Sequence, residues 1–237
     1  ICPESFKQVL NNNSSYIFVK QPRLWFLRWI KKFFEKEEIS GIHESAIVET
    51  RKIGKNVLIG PFTYIAKDVE IGANTKILAN VSILDNSKIG ANVLISESCV
   101  IGAKGLGPQR NNNKKLERFP QLGGTEIKDD VEIGANVCIM KGTIDNTIIG
   151  KGVHIAPLVN IGHNVTIGKN CYVTPHAIIS GSSSIGENSF IGAGSFIRDQ
   201  IKIGKNVTVG MGTVVTKNVS DGVTIIGNPG KIMNKNN

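Results

Sequence analysis

Among side chains able to move a proton near neutral pH, this 237-residue chain has four histidines: His43, His154, His163 and His176. His163 stands in the run Asn160-Ile161-Gly162-His163-Asn164, and Gly181 follows it by 18 residues. An imidazole, with an ordinary pKa of about 6.5, suits general-base work at neutral pH. A glycine lets a ligand come close enough to the backbone for its N–H to hold a developing oxyanion. The pair fits the attack of an amine on a carbonyl. No serine or cysteine carries an adjacent base, so direct transfer between two bound substrates is expected rather than an acyl-enzyme. His43 and His154 read as surface residues, and His176 as a second corner residue.

What places His163 beside Gly181 is a repeat. Aliphatic residues recur every six positions from Ile47 through Ile53, Ile59, Ile65, Ile71, Ile77, Ile83, Ile89 and Ile95 to Ile101. The series resumes at Ile127, Ile133 and Ile139, takes four extra residues, and runs from Ile149 to Val215. Six fits neither a helix nor simple alternation, but it fits a flat strand and a turn repeated, three to a coil. Four residues after each anchor the side chain is again small or β-branched, as at Thr63, Thr75, Cys99, Val165, Cys171 and Ser189, and must also point inward. Gly after the anchor (Gly54, Gly72, Gly162, Gly168) and Asn two residues later (Asn56, Asn74, Asn164, Asn170) are expected to turn the corners in left-handed backbone conformations. Stacked coils then form an all-β parallel β-helix with rungs about 4.8 Å apart, which brings Gly181 one rung from His163.

The repeat fails at residues 104–125, which must leave the prism as a loop, and such excursions are often functional. It is expected to reach over the groove of a neighbouring subunit, with Phe119 and Gln121 as substrate contacts. Residues 1–40 form a short strand at Tyr16 to Val19 and a helix from Pro22, with a stripe of Trp25, Phe26, Trp29, Ile30 and Phe33 beside Arg23, Arg28, Lys31 and Lys32. Such a stripe is expected to pack on protein rather than on a membrane. No apolar run reaches the roughly 20 residues needed to span a bilayer.

Net charge is +9, which favours an acidic partner. Cys2, Cys99, Cys138 and Cys171 show no metal or redox spacing, so reduced thiols in a cytoplasmic protein are expected, with Cys99 and Cys171 packed inward. The chain opens at Ile1 rather than Met and reads as a fragment.

The stretch Ile101-Gly102-Ala103-Lys104-Gly105-Leu106-Gly107, the segment Phe119 to Gly123, the run EIGANVCIMKGTIDNTIIG and Asn160 to Asn164 together resemble the UDP-3-O-acylglucosamine N-acyltransferases of lipid A synthesis. The similarity runs from about Ile17 to Val219 and includes the four-residue insertion. It implies a left-handed helix, a homotrimer with sites between prisms, a nucleotide-sugar acceptor, and an upstream domain that binds uridine. It also implies that His163 is the base, Gly181 the oxyanion amide and Asn160 a neighbour of the acceptor sugar. The family's insertion-motif arginine is Lys141 here, which is expected to contact the substrate, its second histidine is Gln200, and an acidic residue seven before the base is Ala156.

The end, Gly227-Asn228-Pro229-Gly230-Lys231, is similar instead to coenzyme A-dependent hexapeptide sugar acetyltransferases, and assigns Asn228 and Lys231 to the donor. In several of those enzymes a second histidine falls where this chain has Tyr172. The donor is therefore acyl carrier protein or acyl-CoA, a co-substrate rather than a resident cofactor, and a coenzyme A-dependent acetyltransferase for a surface-polysaccharide sugar is the alternative. Nucleic acid is not an expected partner. A γ-type carbonic anhydrase needs two closely spaced zinc histidines that His154, His163 and His176 do not supply, so no metal is expected. A non-catalytic scaffold would want a more regular outer face. The expected domains are residues 1–40, the β-helix at 41–219 with its loop, and a tail at 220–237.

Overall fold

The computed structural model describes residues 1–6, 15–34 and 40–233. Residues 7–14, 35–39 and 234–237, which belong to the expected N-terminal segment and tail, lie outside the described residues. The chain forms two compact units, Ile1–Ile39 and Ser40–Asn237.

In the first unit the expected strand reduces to one bridge between Cys2 and Phe18, closed by the Val19 N–H donating to the Cys2 carbonyl at 3.0 Å. Helix α1 spans Pro22–Phe34. Proline at its first position fits because a helix's first N–H groups have no partner inside the helix. None of its residues is buried, and within the unit the aromatic stripe meets itself, with Trp29 5.5 Å from Phe33 and 5.4 Å from Phe34 between ring centres. Among the described residues of this unit, the expected packing of the stripe on protein is not seen.

The second unit is a left-handed parallel β-helix of about 10 turns with three flat faces. Two- to four-residue strands stack coil on coil. Asn160–Ile161 pairs with Ile178–Ile179, which pairs with Phe196–Ile197 and then with Val214–Val215. The anchors fill the prism: Ile77, Ile95, Ile133, Ile161 and Ile179 have no measurable exposure. A strand this short cannot persist alone, and burial of each isoleucine, about 1.5–3 kcal/mol, holds it to its neighbours.

The second inward position does more than fill space. Thr75 Oγ1 donates to the Gly90 carbonyl at 2.8 Å and accepts the Val93 N–H at 3.1 Å, and Ser189 repeats the pattern with Gly204 and Val207. Cys99 and Cys171 occupy the same position, 0% and 1% exposed. Burial pushes the Cys99 thiol up to about 11 and raises that of Cys171.

Two expectations need correction. The anchor in the first coil is Val48 rather than Ile47, because Val48 aligns with Ile65 whereas Ile47 aligns with Tyr64 and is 61% exposed. That coil is one residue short. The division of labour at the corners also differs. Asn56, Asn74, Asn164 and Asn170 do adopt φ of 56–58°, but Gly54, Gly72, Gly162 and Gly168 do not have positive φ. Their role is steric: a Cβ on Gly162 would lie 2.6 Å from the Gly181 nitrogen, inside the next coil's backbone.

At the long excursion, the strand Val100–Ala103 pairs onward with Cys138–Met140, and the chain between them leaves the prism. The excursion holds an antiparallel hairpin, Gln109–Arg110 with Leu116–Glu117. It rejoins at Thr125–Ile127. Past Val219 the ladder continues through Thr224–Ile226, onto which Lys231–Ile232 folds back antiparallel.

Replacing Ile161 by Ala should lower unfolding free energy by about 2–5 kcal/mol in urea titration, the cost of a buried cavity. Because the Cys99 thiol is neutral below about pH 10 when folded, iodoacetamide at pH 8.5 should leave it unlabelled in the native protein and label it in urea.

Candidate active site

Between strands Asn160–Ile161 and Thr166–Ile167 the chain turns a corner at His163 and Asn164. The same corner one coil on is Gly181 and Ser182, and the Ser182 N–H donates to the His163 carbonyl at 2.8 Å. A Cβ on Gly181 would lie 2.6 Å from His163 Nε2 and 2.7 Å from Cε1, so the imidazole covers the Gly181 backbone and no larger residue leaves it room. Among the described residues the Gly181 N–H donates to no backbone acceptor.

His163 is half-buried, and its Nδ1 lies 3.1 Å from Asn164 Oδ1. That oxygen also accepts the Thr143 N–H at 3.0 Å and the Thr143 hydroxyl at 2.6 Å, while Asn164 Nδ2 donates to the Asp145 carbonyl at 3.2 Å. A backbone N–H can only donate, so the Asn164 amide has one orientation. Its oxygen then faces the ring, Nδ1 carries the proton, and Nε2 presents a lone pair over Gly181. Thr143 and Asp145 belong to the four extra residues that interrupt the repeat, so the insertion orients the amide that orients the histidine. Sequence reasoning missed Asn164, Thr143 and Asp145: Asn164 read only as one more corner asparagine, and the insertion gave no hint of what it would touch.

The long excursion returns to this corner. A Cβ at buried Gly105 would lie 3.6 Å from His163 Cδ2 and 3.5 Å from Gln121 Oε1. Gln121 is buried, its Nε2 donating to the Phe119 carbonyl at 3.3 Å, and the Phe119 side chain is 42% exposed. Asn160 is half-buried on the strand that leads into the corner, outward-facing and in register with Cys138 and Ile178.

Lys141 is buried, with Nζ donating to the Asp85 carbonyl at 3.2 Å. Burial is the main reason its ammonium is held below the usual lysine range; Lys104 adds to this and Asp85 opposes it.

Asn228 and Lys231 are not brought to His163. They are exposed at the end of the helix, about four rungs from the Asn160 strand, roughly 19 Å along the axis at about 4.8 Å per rung. Nor do the other histidines converge. His154 lies on another face with Nδ1 3.0 Å from Glu132 Oε2, and His176 is an exposed corner with φ of 60°. A groove of about 690 Å³ runs along the His154 face past Glu132 and Tyr172 and does not include His163. Among the described residues, the corner is where an imidazole held by a side-chain amide lies against a backbone N–H that has no backbone acceptor.

Gly181→Ala should fold, since its position is at a corner, but should push the His163 ring aside. Histidine side-chain NMR should report a shifted His163 resonance and an unchanged His176.

Comparison with known proteins places this geometry in a lineage. Residues 52–84, 70–103, 146–181 and 182–217 match the family described as bacterial transferase hexapeptide (six repeats). A UDP-3-O-acylglucosamine N-acyltransferase from Delftia acidovorans is 46% identical over 170 residues, covering 69% of this chain and 50% of that protein. One of the same name from Leptothrix cholodnii is 50% identical over 60 residues, 25% of this chain and 17% of that protein. The chain thus spans half or less of the length of these curated relatives. Among solved structures, LpxA from Acinetobacter baumannii superposes with a TM-score of 0.72 at 25% identity, over 81% of this chain and 73% of that one. LpxA from Bacteroides fragilis, described as a UDP-N-acetylglucosamine acyltransferase, gives 0.71 at 31% identity over 81% and 74%. With the repeats matched across more than half its length, this chain belongs to the hexapeptide-repeat family of bacterial transferases.

Proposed function

We propose that the chain is an acyltransferase that moves an acyl group from a thioester to the amine of a nucleotide-activated amino sugar, the activity for which its Delftia acidovorans relative is named. The observation that carries this reading is the His163 Nε2 lone pair held over Gly181 by the Asn164 amide. The amine attacks the thioester carbonyl while Nε2 takes one of its protons. The electron pair displaced onto the carbonyl oxygen is held by the Gly181 N–H. The carbon–sulfur bond then breaks, and the imidazolium returns its proton to the departing thiolate. Asn160, Phe119 and Gln121 border the acceptor. Lys141, whose charge is buried, fixes the insertion through Asp85.

The acyl donor is a thioester co-substrate, on acyl carrier protein or coenzyme A. The +9 net charge favours an acidic carrier protein, whereas exposed Asn228 and Lys231 at the last coil offer a place for the far end of a long coenzyme arm. The second arrangement would suit an acetyltransferase acting on a polysaccharide sugar.

The active form is a homotrimer in this reading, because Tyr172, Ile178, Phe190 and Phe196 leave apolar side chains exposed on two faces of a lone prism. Four free cysteines, two of them buried at inward positions, suit the reducing cytoplasm.

Light scattering should report three times the chain mass, and a stable, active monomer would refute the trimer. His163→Ala should lose about 10²–10⁴-fold in kcat with the melting temperature unchanged, whereas His176→Ala should remain close to wild type. Mass spectrometry of products from UDP- and dTDP-amino sugars, offered acetyl-CoA or hydroxyacyl carrier protein, tests the class and identifies the donor. An ester with every amine untouched would overturn the amide reading.

A further inference from the structure

Gln121 is 8% exposed, and its two amide atoms have unequal fates. Nε2 donates to the Phe119 carbonyl at 3.3 Å, which fixes the amide's orientation, since a carbonyl accepts only from the nitrogen side. Oε1 is left buried without a hydrogen-bond partner. An acceptor in that state is costly, and native folds keep few of them. This one stands at the corner: the point where a Gly105 side chain would begin is in contact with both Gln121 Oε1 and His163 Cδ2. Gly105 has no side chain, so no Cβ stands between the unpaired acceptor and the imidazole.

We propose that Gln121 Oε1 accepts the N–H that an attacking amine keeps, and that this contact makes the site select an amine over a hydroxyl. The inference rests on the reaction proposed above. An amine brings two protons. One passes to His163 Nε2 as the N–C bond forms and the C–S bond breaks, and the other stays on the amide product, pointing at Oε1. A hydroxyl has one proton, and once it goes to the base nothing remains to satisfy Oε1. A site built to pair with a substrate N–H discriminates against the analogue that lacks it. The fold leaves the choice open, since related structures include one described as a UDP-N-acetylglucosamine O-acyltransferase, from Moraxella catarrhalis.

The test compares UDP-3-O-acylglucosamine with UDP-3-O-acylglucose as acceptors for the 237-residue chain, with hydroxyacyl carrier protein and with acetyl-CoA as donors. Gln121→Met keeps the length of the side chain and removes the acceptor. The amine-to-hydroxyl ratio of kcat/KM should fall by about 10- to 100-fold, the worth of one unpaired buried acceptor. Gln121→Glu, which retains an acceptor oxygen, should keep most of the ratio. If Gln121→Met does not fold, as judged by its melting curve, Gln121→Leu takes its place. Amide formation by the wild type with an unchanged ratio in the apolar variant would overturn the role of Gln121 alone. Failure of the wild type to acylate either sugar would overturn the reaction, and this inference with it.

Discussion

Backbone hydrogen bonds between successive coils set the one distance from which the rest of this structure follows. Each rung donates to the next, as in Asn160 N–H to the Ala177 carbonyl at 3.1 Å and Gly162 N–H to that of Ile179 at 2.8 Å. The rungs therefore repeat at about 4.8 Å. That spacing fills the prism with stacked isoleucines. It also excludes a Cβ at Gly162, whose place the Gly181 backbone occupies, and it lays the His163 ring on Gly181. Residues 18 apart in sequence are brought together by the ladder that stabilises the fold, which is what sets the proposed base, His163, beside the Gly181 amide.

Where the ladder is interrupted, the chain spends its irregular residues on that same corner. The four extra residues supply Thr143 and Asp145, which clamp Asn164 and hence the histidine tautomer. The long excursion brings Gln121 and Gly105 against the ring. Away from the corner the outer faces carry ordinary charge ladders, such as Lys169 and Lys205 flanking Glu187 at 3.1 Å each, which hold that carboxyl below its usual range. These pairs are solvent-exposed and add little stability. At the corner, by contrast, the unpaired oxygen of Gln121 and the His163 ring lie close together around Gly105.

Shared architecture does not settle which nucleophile attacks. A hexapeptide prism, a corner histidine and a facing glycine would serve an amine or a hydroxyl equally, and the relatives include acyltransferases named for each. In the reading proposed above, discrimination comes from groups outside the repeat. In this chain such groups lie on the excursion and the insertion, where sequence periodicity carries no information.

The sequence by itself determined the prism. A period of six with a second inward position specifies strand, turn and coil, and counting 18 residues from His163 was enough to find Gly181. The inward seats of Cys99 and Cys171, the helix at Pro22–Phe34 and the point where the chain leaves the prism were legible for the same reason: each is a local pattern with one geometric solution. The glycines after each anchor were misread because their constraint is not local; it comes from the backbone of the next coil. The shortened first coil escaped because Ile47 and Val48 are adjacent and equally apolar, and only pairing with Tyr64 and Ile65 tells them apart. Tertiary structure alone decided the orientation of the Asn164 amide, the buried and unpaired oxygen of Gln121, and the remoteness of Asn228 and Lys231 from the corner. Those depend on which donors and acceptors meet after the coils have stacked, a matching that no spacing of residue types encodes.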